Sequence, residues 1–354
     1  MLQQGSDSRP ARRKDVAERA GVSPAVVSYV LNGGPRSVSA AVRERVLEAV
    51  AELGYRPNSI ARSLRMDRTM TLGLIVPDPS NPFFATLVHA VLRHASAEGY
   101  ALLIGDALQD GTMQETWIRT FIQRQVDGII LVPGITTTAG EDELRRRNVP
   151  LVHVVRPPAQ SSDAPLVTID NRAGAREATL HLIGHGRRSL ACIAGPGIVR
   201  SARSRVEGWR DAMLESGVPV DEDRIVYAPF GREAGYRETI RLLERDGAPD
   251  AIFCGSDTQA LGVLEALKDR GVRCPEDIAV VSFDGIPAAG YVTPGLTTMA
   301  PPIAEIGRTG VERLLELLKD PGRLAPTTVL PAQMVRRGSC GCPEPEASDA
   351  DFTA

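Results

Sequence analysis

Few side chains in this sequence stand at spacings that do chemistry on their own. Cys340 and Cys342 flank a single glycine, and a thiol pair supplies half of a tetrahedral zinc site. No matching His or Cys cluster follows it, so the set reads as incomplete and no metal is expected. Gly195-Pro196-Gly197 lacks the spacing of a dinucleotide fingerprint or a phosphate loop. His185, in a glycine-rich turn ahead of a strand, reads as structural, and Asp257 reads as the cap of the helix it begins. With no nucleophile–base pair, metal cluster or phosphate loop, neither a cofactor nor enzymatic chemistry is expected. Charge distribution says more. The first 68 residues hold 12 basic and 7 acidic residues, with Arg12, Arg13 and Lys14 in one run, while 29 basic and 37 acidic residues follow. A basic front end on an acidic body suits a headpiece that meets a polyanion.

The elements that must position this charge are short helices. Residues 14–20 have one apolar face, and Gly21 suits a helix C-terminus that needs positive φ. Ser23 can cap a second helix whose first turn tolerates Pro24, and Val26, Val27, Val30 and Leu31 continue it at helical spacing. Asn32-Gly33-Gly34-Pro35 ends it. Ser39 can cap a third helix carrying Val42, Val46, Ala49, Val50 and Leu53, closed by Gly54. Two short helices joined by a tight turn let the second lie in the major groove while the first braces the backbone. A helical hairpin closing on its own core has the same pattern. A linker follows at 55–58, then a short basic helical candidate at 59–65.

From Met70 the rhythm changes. Strand-like runs at 71–76, 101–104, 128–132, 151–155, 166–169, 190–194, 225–228, 251–254 and 278–283 alternate mostly with helical segments. Repeated units of this kind build parallel sheets covered by helices, and there are enough for two sheets. A late helix at 303–318 and further strands within 327–335 complete the pattern. The chain has 354 residues, 43% hydrophobic and 24% charged, an ordinary soluble composition with room for two or three domains. No apolar run approaches the roughly 18 residues of a membrane span, and no export signal opens the chain. Five sparse cysteines fit a reducing cytoplasm.

Several motifs then fall in one order. They include Asp15-Val16-Ala17, Ala20-Gly21-Val22-Ser23, Val30-Leu31-Asn32, Leu53-Gly54-Tyr55 with Pro57-Asn58, Ala61 and Leu64. Further on come Leu72-Gly73-Leu74-Ile75, Asn81-Pro82-Phe83-Phe84, Val126-Asp127-Gly128, His185-Gly186, Ser282-Phe283-Asp284 and Leu296-Thr297-Thr298. Between Arg12 and Gly338 the chain resembles the lactose-repressor (LacI/GalR) family of transcription regulators. That resemblance implies an all-α helix-turn-helix headpiece plus an α/β core of two Rossmann-like lobes, of periplasmic-binding-protein type, with three crossovers. The implied divisions are a disordered tail at 1–11, a headpiece at 12–58 and a hinge helix with linker at 59–69. The core then spans 70–342, and a second disordered tail spans 343–354. Lobe 1 takes about 70–170 and 300–328, and lobe 2 about 171–299 and 329–342.

The same resemblance assigns sites. The base-reading helix falls on 23–32, with Pro24, Ala25 and Tyr29 at its principal reading positions. Pro24 and Ala25 offer no bidentate base contact, Tyr29 stands where Arg is common, and Val26 replaces a usual Thr. Contact is then more apolar, against thymine methyls, with the Tyr29 hydroxyl as the polar group. Arg13, Lys14, Ser23, Ser28, Asn32, Tyr55 and Asn58 are expected to meet phosphates. Leu64, with Ala61 one turn earlier, matches a leucine that paired hinge helices wedge into the minor groove. A seven-residue helix is too short to persist alone, so it is expected to fold on DNA.

The effector is expected between the lobes, touching Phe83, Phe84, Ser201, Arg205, Phe230, Ser256 and Asp284. Val155 replaces an acceptor Asp of several sugar-binding members, Ser256 stands where Asn is common, and Val199 lacks an Arg used in purine sensing. A sugar or sugar derivative is the first expectation, a purine or nucleoside the second. A solute-binding protein without DNA function is a further alternative, against which the fused headpiece argues. The expected partners are pseudo-palindromic operator DNA, the effector and a second copy of the chain. The family's tetramers use a C-terminal leucine heptad. Residues 343–354 hold no leucine, so a cytoplasmic homodimer is expected, without membrane contact.

Overall fold

The computed structural model describes residues 11–32, 38–56, 68–133, 139–158, 162–323 and 327–343. The chain divides into two compact units, Met1–Thr69 and Met70–Ala354. The expected hinge helix, with Asn58, Ala61 and Leu64, lies outside the described residues, as do positions 1–10 and 344–354 of the two expected tails.

The first unit holds α1 (Arg13–Ala20), α2 (Pro24–Asn32) and α3 (Ala40–Glu52). The Asp15 carboxylate accepts the Arg12 N–H at 2.6 Å, fixing the start of α1, and Gly21 closes it at φ +66°. The Ser23 hydroxyl accepts the Val26 N–H at 3.3 Å, capping α2. Ser39 stands at the N-cap of α3, but its hydroxyl makes no capping bond; the expected cap is there in position only. Val16, Ala17, Ala20, Val27, Val30, Val46 and Ala49 form a small core, with Leu31, Leu53 and Tyr55 packed at its edge.

The second unit begins with β1 (Thr71–Val76), α4 (Pro82–Ala97), β2 (Ala101–Asp106), α5 (Gly111–Gln123), β3 (Gly128–Leu131), α6 (Ala139–Arg146), β4 (Leu151–Val155) and β5 (Leu166–Ile169). It continues with α7 (Asn171–Gly184), β6 (Leu190–Ala194), α8 (Arg200–Glu215), β7 (Ile225–Tyr227), α9 (Arg232–Leu243), β8 (Ala251–Cys254), α10 (Asp257–Asp269) and β9 (Ala279–Phe283). Then come β10 (Thr297–Ala300), α11 (Ile303–Lys319), β11 (Thr328–Leu330), β12 (Gln333–Val335) and a 3₁₀ turn at Gly338–Cys340. One sheet runs β11-β5-β4-β3-β1-β2 and the other β12-β10-β9-β8-β6-β7. All pairings are parallel except β10 with β12. Strands buried on both faces, such as Leu151–Val155 and Ala279–Phe283, explain the continuous apolar runs in the sequence.

The chain passes between the sheets three times. The second and third passages fall a residue or two later than the resemblance implies, because Ala300 still pairs with Gln333 and Leu330 with Ile169. After the second passage α11 returns to lobe 1. It buries Ile306, Val311 and Leu314, each worth about 1.5–3 kcal/mol. Gly307 lets it approach α4 closely: a Cβ there would lie 2.7 Å from the Ala90 Cβ. Two elements had no counterpart in the sequence reading. Helix α6 buries only Gly140 and Leu144, too little for a visible apolar face, and β10 begins within the Leu296-Thr297-Thr298 motif and runs on to Ala300. No described helix is long and apolar enough to cross a membrane.

Candidate nucleic-acid interface and effector cleft

In the headpiece, Ser23 and the first turn of α2, Pro24 and Ala25, are exposed, with Ser28 and Tyr29 half-exposed one turn on. The opposite face, Val27 and Val30, is buried. The candidate reading face is therefore an uncharged, largely small-residue surface. Exposed cations stand beside it in sequence, at Arg13 and Lys14 of α1. Lys14 is held only loosely, 3.6 Å from Glu18, and such an exposed pair contributes little. Tyr55 packs its ring against the headpiece core. Asn32 closes α2, and its side chain lies outside the description.

In the core, the cleft between the two sheets is lined by Asn81, Phe83, Phe84, Val155 and Arg156 from lobe 1, and by Ser201, Arg205, Phe230 and Asp284 from lobe 2. These positions lie at or just past the C-terminal ends of β1, β4, β6, β7 and β9, where parallel sheets place ligands. Its open volume is about 20 Å³, room for about one water. The Asn81 side chain caps α4 by accepting the Phe83 N–H at 3.0 Å. Phe83 and Phe84 meet edge to face at 5.2 Å.

Arg156 is the principal group that sequence reasoning missed. Its N–H returns to the Val154 carbonyl at 2.7 Å, and the intervening Val155 has φ +67°. This is a γ-turn of the strained kind, costly for a β-branched residue. It aims the guanidinium between Phe84 and Phe230, at 5.2 and 5.8 Å from the ring centroids. Burial, then the charge of Arg205, pulls its pKa down to about 10, with Asp284 opposing. Its side-chain donors find no hydrogen-bond acceptor among the described residues. A charged residue just past a buried parallel strand was the available signal.

Arg205 is committed differently. Its guanidinium donates to Asn171 Oδ1 at 2.8 Å, to the Gly255 carbonyl, and to Asp284 Oδ1 at 3.3 Å. It also stacks on Phe283 at 3.8 Å. Asp284 sits at φ +125°, a second strained position on the cleft wall. Burial drives its pKa up to about 7 against the pull of Arg205.

Two expectations need correction. Ser256 is fully buried and does not line the cleft; its hydroxyl caps α10 by accepting the Gln259 N–H at 3.1 Å. Asp257 is not the cap. It is buried and accepts from Ser282 Oγ and Thr298 Oγ1, both at 2.5 Å, and from the Ile286 N–H at 2.7 Å. Burial raises its pKa to about 6 despite these donors. The Gly195-Pro196-Gly197 segment has a structural use: a Cβ on Gly195 would overlap the Phe230 ring, so the glycine seats that aromatic in the cleft. Cys340-x-Cys342 is also not left without partners. His181 and His185, far earlier in the sequence, meet it in space.

A helix-turn-helix unit and a two-lobed ligand cleft on one chain define a DNA-binding transcription regulator under small-molecule control. Residues 14–58 match the model of bacterial regulatory proteins of the lacI family, and residues 179–340 match that of the periplasmic binding protein-like domain. The repressor CytR of Escherichia coli K12 is 34% identical over 330 residues, covering 93% of this chain and 96% of its own. Catabolite control protein A of Priestia megaterium is 35% identical, covering 86% and 91%. Among solved structures, the lac repressor dimer bound to operator and the anti-inducer ONPF aligns with TM-score 0.82 at 27% identity, over 94% of this chain and 99% of that one. The regulator CelR in complex with cellobiose aligns with TM-score 0.72 at 32% identity, over 93% and 99%. The chain belongs to the lacI family.

Proposed function

We propose that this chain is a cytoplasmic homodimeric repressor, not an enzyme, whose grip on a pseudo-palindromic operator is set by a sugar derivative bound between its lobes. The observation that carries the ligand reading is Arg156. A guanidinium fixed between aromatic rings of opposite lobes, with no hydrogen-bond acceptor among the described residues, is suited to an oxygen-rich ligand that bridges both. Phe83, Phe84 and Phe230 supply apolar faces for a sugar ring, and Asp284 and Ser201 supply acceptors for its hydroxyls. The cellobiose complex of CelR and a ribose-bound lacI-family regulator from Enterococcus faecium support a carbohydrate over a purine.

On the DNA side, Pro24, Ala25 and Tyr29 form the proposed reading surface, with Ser23 and Ser28 proposed to meet phosphates beside it. Arg13, Lys14, Asn32, Tyr55 and Asn58 are proposed to hold phosphates, and Ala61 and Leu64 to enter the minor groove. The dimer has a candidate seam. Strand β2 is the edge of its sheet, yet Leu103 and Ile104 are 37% and 42% exposed, beside exposed Leu92 and Leu108. An uncovered apolar edge invites pairing, and the lac repressor dimer supports a second copy as its cover.

The test is a thermal-shift screen of sugars, sugar acids, sugar phosphates, nucleosides and purines, followed by operator mobility shift with the hits. A carbohydrate hit that changes operator affinity and is lost in Arg156→Ala is expected. A response confined to purines or nucleosides would overturn the ligand class.

A further inference from the structure

The end of the core carries a second constellation, away from the cleft. The last turn of α7 and its cap place His181 and His185 four residues apart, on one side of the helix. The chain end returns to this spot. The turn at 338–340 is pinned by Ser339, whose hydroxyl donates to the Val280 carbonyl at 2.7 Å and accepts the Thr297 N–H at 2.9 Å. Gly341, at φ +98°, then curls the backbone so that Cys340 and Cys342 face the same histidines.

The four donor atoms lie within 4.8 Å of one another. His181 Nε2 is 3.2 Å from Cys340 Sγ and 3.6 Å from Cys342 Sγ, and His185 Nε2 is 3.4 Å from Cys342 Sγ. A tetrahedral zinc ion with ordinary Zn–S and Zn–N bonds holds its sulfur and nitrogen ligands about 3.5 Å apart. The Thr297 hydroxyl donates to Cys340 Sγ at 3.1 Å, an orienting contact of the kind that accompanies metal thiolates. Cys340 is buried, whereas His185 is exposed and Cys342 half-buried, so an ion has a path from solvent.

We propose that His181, His185, Cys340 and Cys342 form a Cys₂His₂ site for Zn²⁺. Two Zn–S and two Zn–N bonds form, and the two thiol protons leave to water. Two thiolates and two neutral imidazoles cancel the charge of the cation. All four ligands come from the protein, so the site is structural, with no position open for a substrate. It clips the end of the core to α7, within lobe 2 and just beyond the third passage between the sheets.

The test uses the full-length chain, reduced with a phosphine, titrated with Co²⁺ and then Zn²⁺. One Co²⁺ per chain is expected, with the intense visible absorption of tetrahedral cobalt and a thiolate-to-cobalt charge-transfer band. Zn²⁺ should bleach both at one equivalent and raise the melting temperature. Cys342→Ser and His185→Gln are each expected to lose roughly a hundredfold or more in affinity and the thermal gain, with unchanged circular dichroism. If Cys342→Ser fails to fold, the exposed His185 position decides. A weakly absorbing octahedral cobalt spectrum would overturn the site, as would identical metal affinity in wild type and variants or a Cys340–Cys342 disulfide persisting under phosphine.

Discussion

The candidate reading face of α2 and the wall of the cleft are built on opposite terms. Helix α2 offers Ser23, Pro24 and Ala25 to solvent and carries no charged residue. The cleft buries Arg156, Arg205 and Asp284, each no more than 8% exposed. A surface that meets DNA is solvated until it binds, so its side chains need only a rigid helix beneath them. A closed cleft must satisfy each charge from within or leave it waiting for a ligand. Arg205 is of the first kind and Arg156 of the second. The comparison teaches that two similar guanidiniums in one cleft are held differently, one bracing lobe 2 through its hydrogen bonds and one, proposed above to meet the effector, held between aromatic rings.

Removing Arg205 should give the largest effect. Arg205→Ala removes the donor shared by Asn171, the Gly255 carbonyl and Asp284, costing about 3–5 kcal/mol of core stability. Urea unfolding followed by tryptophan fluorescence measures it, since Trp117 and Trp209 both lie in the core unit. An unchanged midpoint would erase the distinction between the two arginines. Next, Leu64→Ala should weaken operator binding by about 2–3 kcal/mol with the core and its ligand response intact, read by mobility shift at fixed salt. Undiminished affinity would remove the minor-groove wedge.

Tyr29→Ala should cost about 1–2 kcal/mol on the cognate operator and leave random DNA binding and its salt slope unaltered. Equal losses on both DNAs would make Tyr29 a backbone contact. The smallest effect is a slope. Asp284 has its pKa raised to about 7 from an ordinary 3.8. The folded state therefore keeps a proton that the unfolded chain has lost, and stability falls as pH rises through about 7. Between about pH 6 and about pH 8, Asp284→Asn should remove about 1 kcal/mol of that decline. Parallel melting-temperature profiles for wild type and variant would mean that Asp284 does not titrate there.

The sequence disclosed elements whose signals are local. Gly21 between two capped helices and the apolar runs of the parallel strands could be read without neighbours. The apolar face that α2 turns to the headpiece core, Val27 and Val30, was legible for the same reason. The cleft was partly legible through Phe83, Phe84, Ser201, Arg205, Phe230 and Asp284, all of which line it. Ser256 was misplaced because a helix cap and a ligand contact call for the same residue type at the same strand end. Arg156 went unseen because its role depends on a γ-turn at Val155 that no local residue type announces. The histidines of α7 escaped notice for a different reason. They stand 159 and 157 residues from the sulfurs they meet, and only the closing of the second sheet brings them there.

The exposed apolar edge of β2 bears on the arithmetic of gene control. A chain whose seam is covered only by another copy presents half of a two-part reading surface when alone. Where single copies predominate, occupancy of a palindromic site rises with the square of their number. A cell that halves its stock of such a regulator loses about three-quarters of its paired molecules. Leu103 and Ile104 would thus set a threshold on repression, counted in molecules per cell, before any effector arrives.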